Sequence, residues 1–187
     1  SGELGFELAI PSRFGSSLFN VLKFEAEQRG GGVYGMEAMN VLRMEKGFIT
    51  HAEIDGRATA YDVGLQKMIS EKKDFIGNKM AQRPGLLDPN RERLVGLKTN
   101  SPQSSVTAGS HLFNIDDEPL ADNNQGYISS AAFSPIENCY IGLAFLKRGP
   151  ERWGEKIKAV NFVADTELNC EICPPVFYDP GGKKIRA

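Results

Sequence analysis

A chain of 187 residues with 41% hydrophobic and 25% charged side chains carries apolar surface for one large domain or two small ones. Its 22 basic and 24 acidic residues leave a formal charge of −2, which excludes the basic footprint of a nucleic-acid binder. No apolar run nears the ~20 residues of a membrane span, and three cysteines are too few for a secreted disulfide scaffold, so a reduced, cytoplasmic protein is expected.

The chain opens on Ser1-Gly2-Glu3-Leu4-Gly5 with no initiator Met and no signal-like segment. Phe6, Leu8 and Ile10 then alternate with Glu7 and Ala9, the period of a half-buried strand, and Pro11 stops it. A domain that begins almost inside a strand predicts that further polypeptide precedes it. A helix is expected over about Phe14 to Arg29, capped by Ser12, with Phe14, Leu18, Val21, Leu22 and Ala26 near one face. Gly30-Gly31-Gly32 ends it, because glycine alone adopts left-handed dihedrals at no steric cost. A second helix is expected over Met36 to Lys46, with Ala38, Val41, Leu42 and Glu45 along a stripe, closed by Gly47.

The stretch Gln82-Arg83-Pro84-Gly85-Leu86-Leu87-Asp88-Pro89-Asn90 has two prolines and a glycine, the composition of a linker. Beyond it the texture changes to short alternating runs: Arg93 to Lys98, Tyr127 to Ala131, Tyr140 to Leu146, Lys156 to Val163 and Leu168 to Cys173. Such runs predict a small antiparallel barrel or sandwich of about six strands. The expected class is therefore α+β: a truncated α+β region over 1–83, a linker at 84–91 and a β-barrel domain over 92–187.

Three motifs and two histidines invite chemistry and do not support it. Gly30-Gly31-Gly32-Val33-Tyr34-Gly35 has the spacing of a dinucleotide fingerprint, but that mechanism needs a strand before the glycines and here a helix precedes them. Cys170-Glu171-Ile172-Cys173 lies in a strand-like run, where residues three apart face opposite ways, so neither zinc nor redox function is expected. Ser70-Glu71-Lys72-Lys73 matches a serine-acylation pattern without its companion motifs. His51 and His111 are each isolated in sequence. No metal ligand set is expected, and Arg43 and Glu45 read as a structural ion pair or a solvated helix face.

Two segments carry a family resemblance. Ser1-Gly2-Glu3-Leu4-Gly5-Phe6-Glu7 resembles the G-E-x-G-F-E segment of glycine-cleavage T-protein (aminomethyltransferase) relatives. Tyr34 to Gly47, reading YGMEAMNVLRMEKG, is most similar to the form found in the alpha subunit of heterotetrameric sarcosine oxidase. Lys72 to Gly77, Asp88 to Leu97, Gly126 to Ser130 with Ser134-Pro135, and Pro175 to Pro180 agree in collinear order.

The resemblance implies a multidomain enzyme that holds tetrahydrofolate in a central cavity against a C-terminal barrel and passes it a one-carbon unit. It implies that flavin and NAD belong to upstream regions or partner subunits, and that the partners are the rest of the alpha subunit and the other sarcosine oxidase subunits. It also implies a dimethylglycine dehydrogenase or a stand-alone aminomethyltransferase as alternatives, and a non-catalytic folate-binding or docking module as a third. Glu7 falls at the family position that holds the pterin ring, with Leu8 and Ala9 beside it as the expected cofactor-binding segment. A carboxylate can accept two parallel N–H bonds from a pterin edge. Met39 replaces an Arg that meets a folate carboxylate in glycine-cleavage relatives, and Lys67 replaces an aromatic. The family's catalytic Asp belongs to a preceding segment, so no catalytic residue is expected here.

Overall fold

The computed structural model describes residues 5–70 and 72–184, which fall into two compact units. One comprises the described residues of Ser1–Met39 and Gly181–Ala187, the other Asn40–Pro180.

In the first unit, residues 5–11 carry no regular structure and are exposed, so the strand read from Phe6, Leu8 and Ile10 is not formed. Alternation is only half of what a strand requires; its backbone must also find a ladder partner, and all pairing among the described residues lies within the barrel. Ser12 does not cap the following helix. It sits inside a 3₁₀ turn, Ser12–Phe14, that leads directly into α1, Gly15–Glu27. The end of α1 follows the expected glycine logic in detail. Gly31 N–H donates to the Ala26 carbonyl at 2.8 Å and Gly30 N–H to that of Glu27 at 3.1 Å, with Gly30 at φ +76°. No side chain of α1 is buried, and Phe14, Phe19, Val21, Leu22 and Phe24 remain exposed.

Helix α2, Met36–Glu45, runs from the first unit into the second. It closes with the same pair of bonds, Phe48 N–H to Arg43 O at 2.8 Å and Gly47 N–H to Met44 O at 2.9 Å. Two single helical turns, α3 (Asn78–Ala81) and α4 (Pro84–Leu87), precede the first strand.

Six strands then close an antiparallel barrel in the order β1-β4-β3-β2-β5-β6: β1 Glu92–Thr99, β2 His111–Phe113, β3 Gly126–Ser134, β4 Cys139–Lys147, β5 Lys156–Asn161 and β6 Thr166–Cys173. Closure removes every free edge. The five runs read from sequence are all strands, although β5 stops at Asn161 rather than Val163. Val95, Leu97, Leu112, Ile128, Ala144, Leu146, Ile157, Ala159, Cys170 and Ile172, drawn from all six strands, fill the interior. The alternate positions of β1 and β4 face outward yet are also buried. Leu94, Ile141, Leu143 and Phe145 form a second cluster with Met44, supported by Ile49, Ala58 and Val63. The covering chain explains why these two strands read as near-continuous apolar runs, LVGL and YIGLAFL.

Candidate functional site

The expected cofactor-binding residues, Glu7, Leu8 and Ala9, lie together on the exposed segment before the 3₁₀ turn. Phe6 and Leu8, on either side of Glu7, are 83% and 60% exposed. The Glu7 carboxylate makes no hydrogen bond or ion pair among the described residues. Met39 lies on α2, and Lys67 lies on a 3₁₀ turn, Gln66–Met68.

Arg43 and Glu45, at the end of α2, turn inward: Arg43 takes the ion-pair half of the expectation, with Glu53 as its partner, and neither lies on a solvated face. Glu45 and Glu53 are 3% and 1% exposed. Arg43 Nη1 donates to Glu53 Oε2 at 3.2 Å, and its Nη2 donates to Ser130 Oγ at 2.8 Å. Ser129 Oγ and Ser130 Oγ both donate to Glu53 Oε1, at 2.7 and 2.6 Å. Consecutive strand residues ordinarily face opposite ways. Here the register slips between Ile128 and Ser130, and this bulge in β3 brings both hydroxyls to one carboxylate. Thr50 adds its N–H at 2.9 Å and its hydroxyl at 3.2 Å.

Burial opposes ionisation of Glu53, but the bonds from Ser130, Thr50 and Ser129 and the Arg43 charge prevail. Its carboxyl is held below the ordinary range. Glu45 accepts from Ser134 Oγ at 2.5 Å, while its backbone carbonyl accepts from the N–H groups of Phe177 and Tyr178 at 2.9 and 2.8 Å. Lys46 Nζ meets Asp179 Oδ2 at 3.0 Å. The end of α2 is thus pinned to β3 and to the chain following β6.

A second fork ties the loop after α2 to the start of the barrel. Arg91 Nε and Nη2 donate to Asp62 Oδ1 and Oδ2 at 3.0 and 2.6 Å. Asp62 is 1% exposed; burial raises its pKa, yet Arg91 and both donors of Thr59 bring it below the usual aspartate value. These two networks were not singled out from the sequence. Ser129 lies 76 positions from Glu53, and Asp62 lies 29 from Arg91. The only local signal was the unusual wealth of short polar residues in β3.

The tempting motifs take structural roles. Gly30 and Gly31 form the stop of α1, with no strand before them. Cys170 is buried and Cys173 is partly buried, and burial pushes both thiols up to about 12. Glu71 of the Ser70 motif lies outside the described residues, and Ser70 Oγ accepts a turn bond from Lys72 N–H at 3.3 Å. His111 Nδ1 sits 3.3 Å from the Asn124 amide. Among the described residues there is no cluster of three metal-ligating side chains and no helix long and apolar enough to cross a membrane.

Comparison with known proteins agrees with this architecture. Residues 1–73 match the GCVT N-terminal domain, and residues 92–179 match the glycine cleavage T-protein C-terminal barrel domain. Sarcosine oxidase subunit alpha from Rhizobium meliloti (strain 1021) is 38% identical over 186 residues, 99% of this chain and 19% of that protein. The same subunit from Corynebacterium sp. (strain U-96) is 31% identical over 98% of this chain and 19% of its own length. An aminomethyltransferase from Francisella tularensis subsp. tularensis is 28% identical over 99% of this chain and 48% of that protein. The chain therefore spans about a fifth of the sarcosine oxidase subunits and about half of this aminomethyltransferase. The crystal structure of glycine cleavage system aminomethyltransferase T from Bartonella henselae superposes with a TM-score of 0.72 at 20% identity, over 89% of this chain and 45% of that one. That likeness establishes an aminomethyltransferase-like fold, helices followed by a closed six-stranded barrel. With both of its domains matched in order, the chain belongs to the glycine cleavage T-protein family.

Proposed function

We propose that this chain is the folate-binding part of a sarcosine oxidase-like enzyme, one that oxidatively demethylates sarcosine and transfers the one-carbon unit to tetrahydrofolate. The observation that carries this reading is the 38% identity to a sarcosine oxidase alpha subunit along 99% of the chain. The family supports the coarser statement, a folate-binding one-carbon transfer module. Residues 1–83 then form the folate-handling portion, 84–91 a linker and 92–187 the barrel. Glu7 receives the pterin N–H donors, and Leu8 and Ala9 shape the adjoining wall. Tetrahydrofolate supplies the nucleophilic amine that takes up the one-carbon unit. This chain's contribution is to orient it.

The chain is incomplete as a catalyst, and the remainder of a longer subunit covers the exposed apolar face of α1. A helix whose Phe19, Val21, Leu22 and Phe24 all stand in water is unusual for a settled domain surface. Flavin and nicotinamide chemistry belong to the rest of that subunit or to its partners. The 28% identity to aminomethyltransferases keeps direct one-carbon transfer, without amine oxidation, as the second reading.

Calorimetry of the full-length enzyme with tetrahydrofolate tests the assignment. Glu7→Ala removes two charge-assisted hydrogen bonds of ~1.5–3 kcal/mol each, so the Kd rises at least ~tenfold and methylenetetrahydrofolate formation falls with it. Unchanged affinity reduces Glu7 to a surface carboxylate. Turnover by the isolated chain, given a methylene-amine donor, refutes its incompleteness. Peroxide production on sarcosine separates the two readings.

A further inference from the structure

The outer face of the barrel holds a cavity of about 240 Å³ that the folate reading leaves unused. Asp55, Arg57, Asp62 and Arg91 line it together with Glu92 of β1, Tyr127 of β3 and Phe145 of β4. Four of its five charges are already matched. Arg57 Nε and Nη2 donate to Asp55 Oδ2 at 3.0 and 2.6 Å, and Arg91 forks onto Asp62 as described. Glu92 is the fifth. Its carboxylate makes no hydrogen bond or ion pair among the described residues. Its cross-strand neighbour Lys147 donates through Nζ to the Asn124 carbonyl at 2.7 Å and acts on Glu92 through its charge, with no hydrogen bond or ion pair to it. Burial raises the Glu92 pKa, Asp62 adds to the rise, and Lys147, Arg57 and Arg91 oppose it.

Beside Glu92, the rings of Tyr127 and Phe145 stack at 5.7 Å between centroids with 27° between planes. The Arg57 guanidinium lies 5.9 Å from the Tyr127 centroid, so one cation already uses that ring. Arg57 is 79% exposed at its side chain and can withdraw into water at little cost.

We propose that this cavity binds a small organic ammonium ion, its charge on Glu92 and its alkyl groups against the Tyr127–Phe145 rings. The alternatives fit less well. An anion would meet three carboxylates against two arginines that are already paired. A hard metal ion needs six or so oxygen ligands, and two of the three carboxylates are committed to arginines. A neutral apolar molecule would bury Glu92 further with no partner. An alkylammonium satisfies both the unmatched carboxylate and the partly buried Tyr127 ring that lines the cavity.

The test is an NMR titration of the whole chain with tetramethylammonium chloride, following the ring protons of Tyr127 and Phe145. Sodium chloride at equal ionic strength and methylammonium chloride form parallel arms. Saturable shifts at a millimolar Kd are expected for both ammonium ions and none for sodium. Glu92→Gln weakens binding at least ~tenfold, the loss expected of one charge pair in a partly dry site. Tyr127→Leu weakens tetramethylammonium more than methylammonium, since only the former covers the ring. In the unmodified chain, affinity falls as pH is lowered through the raised Glu92 pKa, an arm that needs no variant to fold. The proposal is overturned by non-saturable shifts, by an equal response to sodium, or by affinity that Glu92→Gln and acidification leave unchanged.

Discussion

Replacing Glu53 by Ala removes the centre of the joint between α2 and the barrel, and the structure sets the size of the loss. The carboxylate is 1% exposed and takes five donors: two serine hydroxyls, the N–H and hydroxyl of Thr50, and Arg43. Breaking one side of a buried ion pair costs ~3–5 kcal/mol, because the other charge stays behind uncompensated. Arg43 keeps Asn40 Oδ1 at 2.9 Å and the Phe48 carbonyl at 3.3 Å, and its side chain is 14% exposed, so water can reach part of it. Ser129 can still donate to the Leu143 carbonyl at 3.0 Å. The loss therefore belongs at the lower end, about 3 kcal/mol, which is still a large share of the ~5–15 kcal/mol that holds a typical domain. Urea unfolding of the chain and its variant should show a lower midpoint at an unchanged slope.

The pH dependence gives an independent check on the same group. Glu53 titrates below its ordinary 4.5 in the folded state, so between those values the unfolded chain binds more protons. Its contribution is complete above about pH 4.5 and is lost as pH falls through the folded value. Asp62 acts in the same direction below its ordinary 3.8, so the Glu53 part is read as the difference between the chain and Glu53→Gln. A loss below ~1 kcal/mol in Glu53→Ala, or acid profiles that coincide for the chain and Glu53→Gln, would refute the argument that this buried carboxylate pins the joint.

Gly126→Ala places a Cβ 1.9 Å from the Phe145 carbonyl oxygen at φ +154°, and should cost about 3 kcal/mol in the same unfolding assay. Gly109→Ala, at φ +85° with nothing within 4 Å, should cost only about 1 kcal/mol; equal losses would show that the close approach is not what selects glycine at 126. With both thiols raised to about 12, Cys170 and Cys173 should resist a disulfide reagent at pH 8 in the folded chain and react fully in urea. Rapid native labelling, or stoichiometric zinc lost when both are changed to Ser, would overturn their structural assignment.

The barrel was largely legible because its strands report on their surroundings at period two, and β1 and β4, covered on both faces, report as apolar runs. β2 was not, because three residues, His111–Phe113, are too few to show any period. Yet β2 closes the barrel, pairing with β3 through His111–Leu112 and with β5 through His111–Phe113. Residues 6–10 fail in the opposite sense: the period is present and the ladder is not. Local pattern reports the face a side chain prefers, whereas strand formation depends on whether another backbone lies alongside. The glycine stops at Gly30 and Gly47 were readable because a left-handed helix end is a local demand. The Glu53 network was not, since its partners meet only through tertiary folding and a bulge.

The same distinction separates the two helices. Both α1 and α2 have apolar residues at spacings of three and four, but α1 buries none of them while α2 buries Met44 and Glu45 at its end. Amphipathicity alone therefore did not decide burial here. What α2 and the residue that follows it have in addition is Arg43, Glu45 and Lys46, each matched by a partner on β3, on the loop after α2 or after β6. Such pairs contribute little as net stability, since desolvation offsets most of their attraction. They do set orientation: a helix turned by one residue, ~100°, would take Met44 out of its cluster and part Arg43, Glu45 and Lys46 from their partners. In this chain the apolar stripe makes helices that can dock, and the buried polar residues select the one orientation in which α2 does.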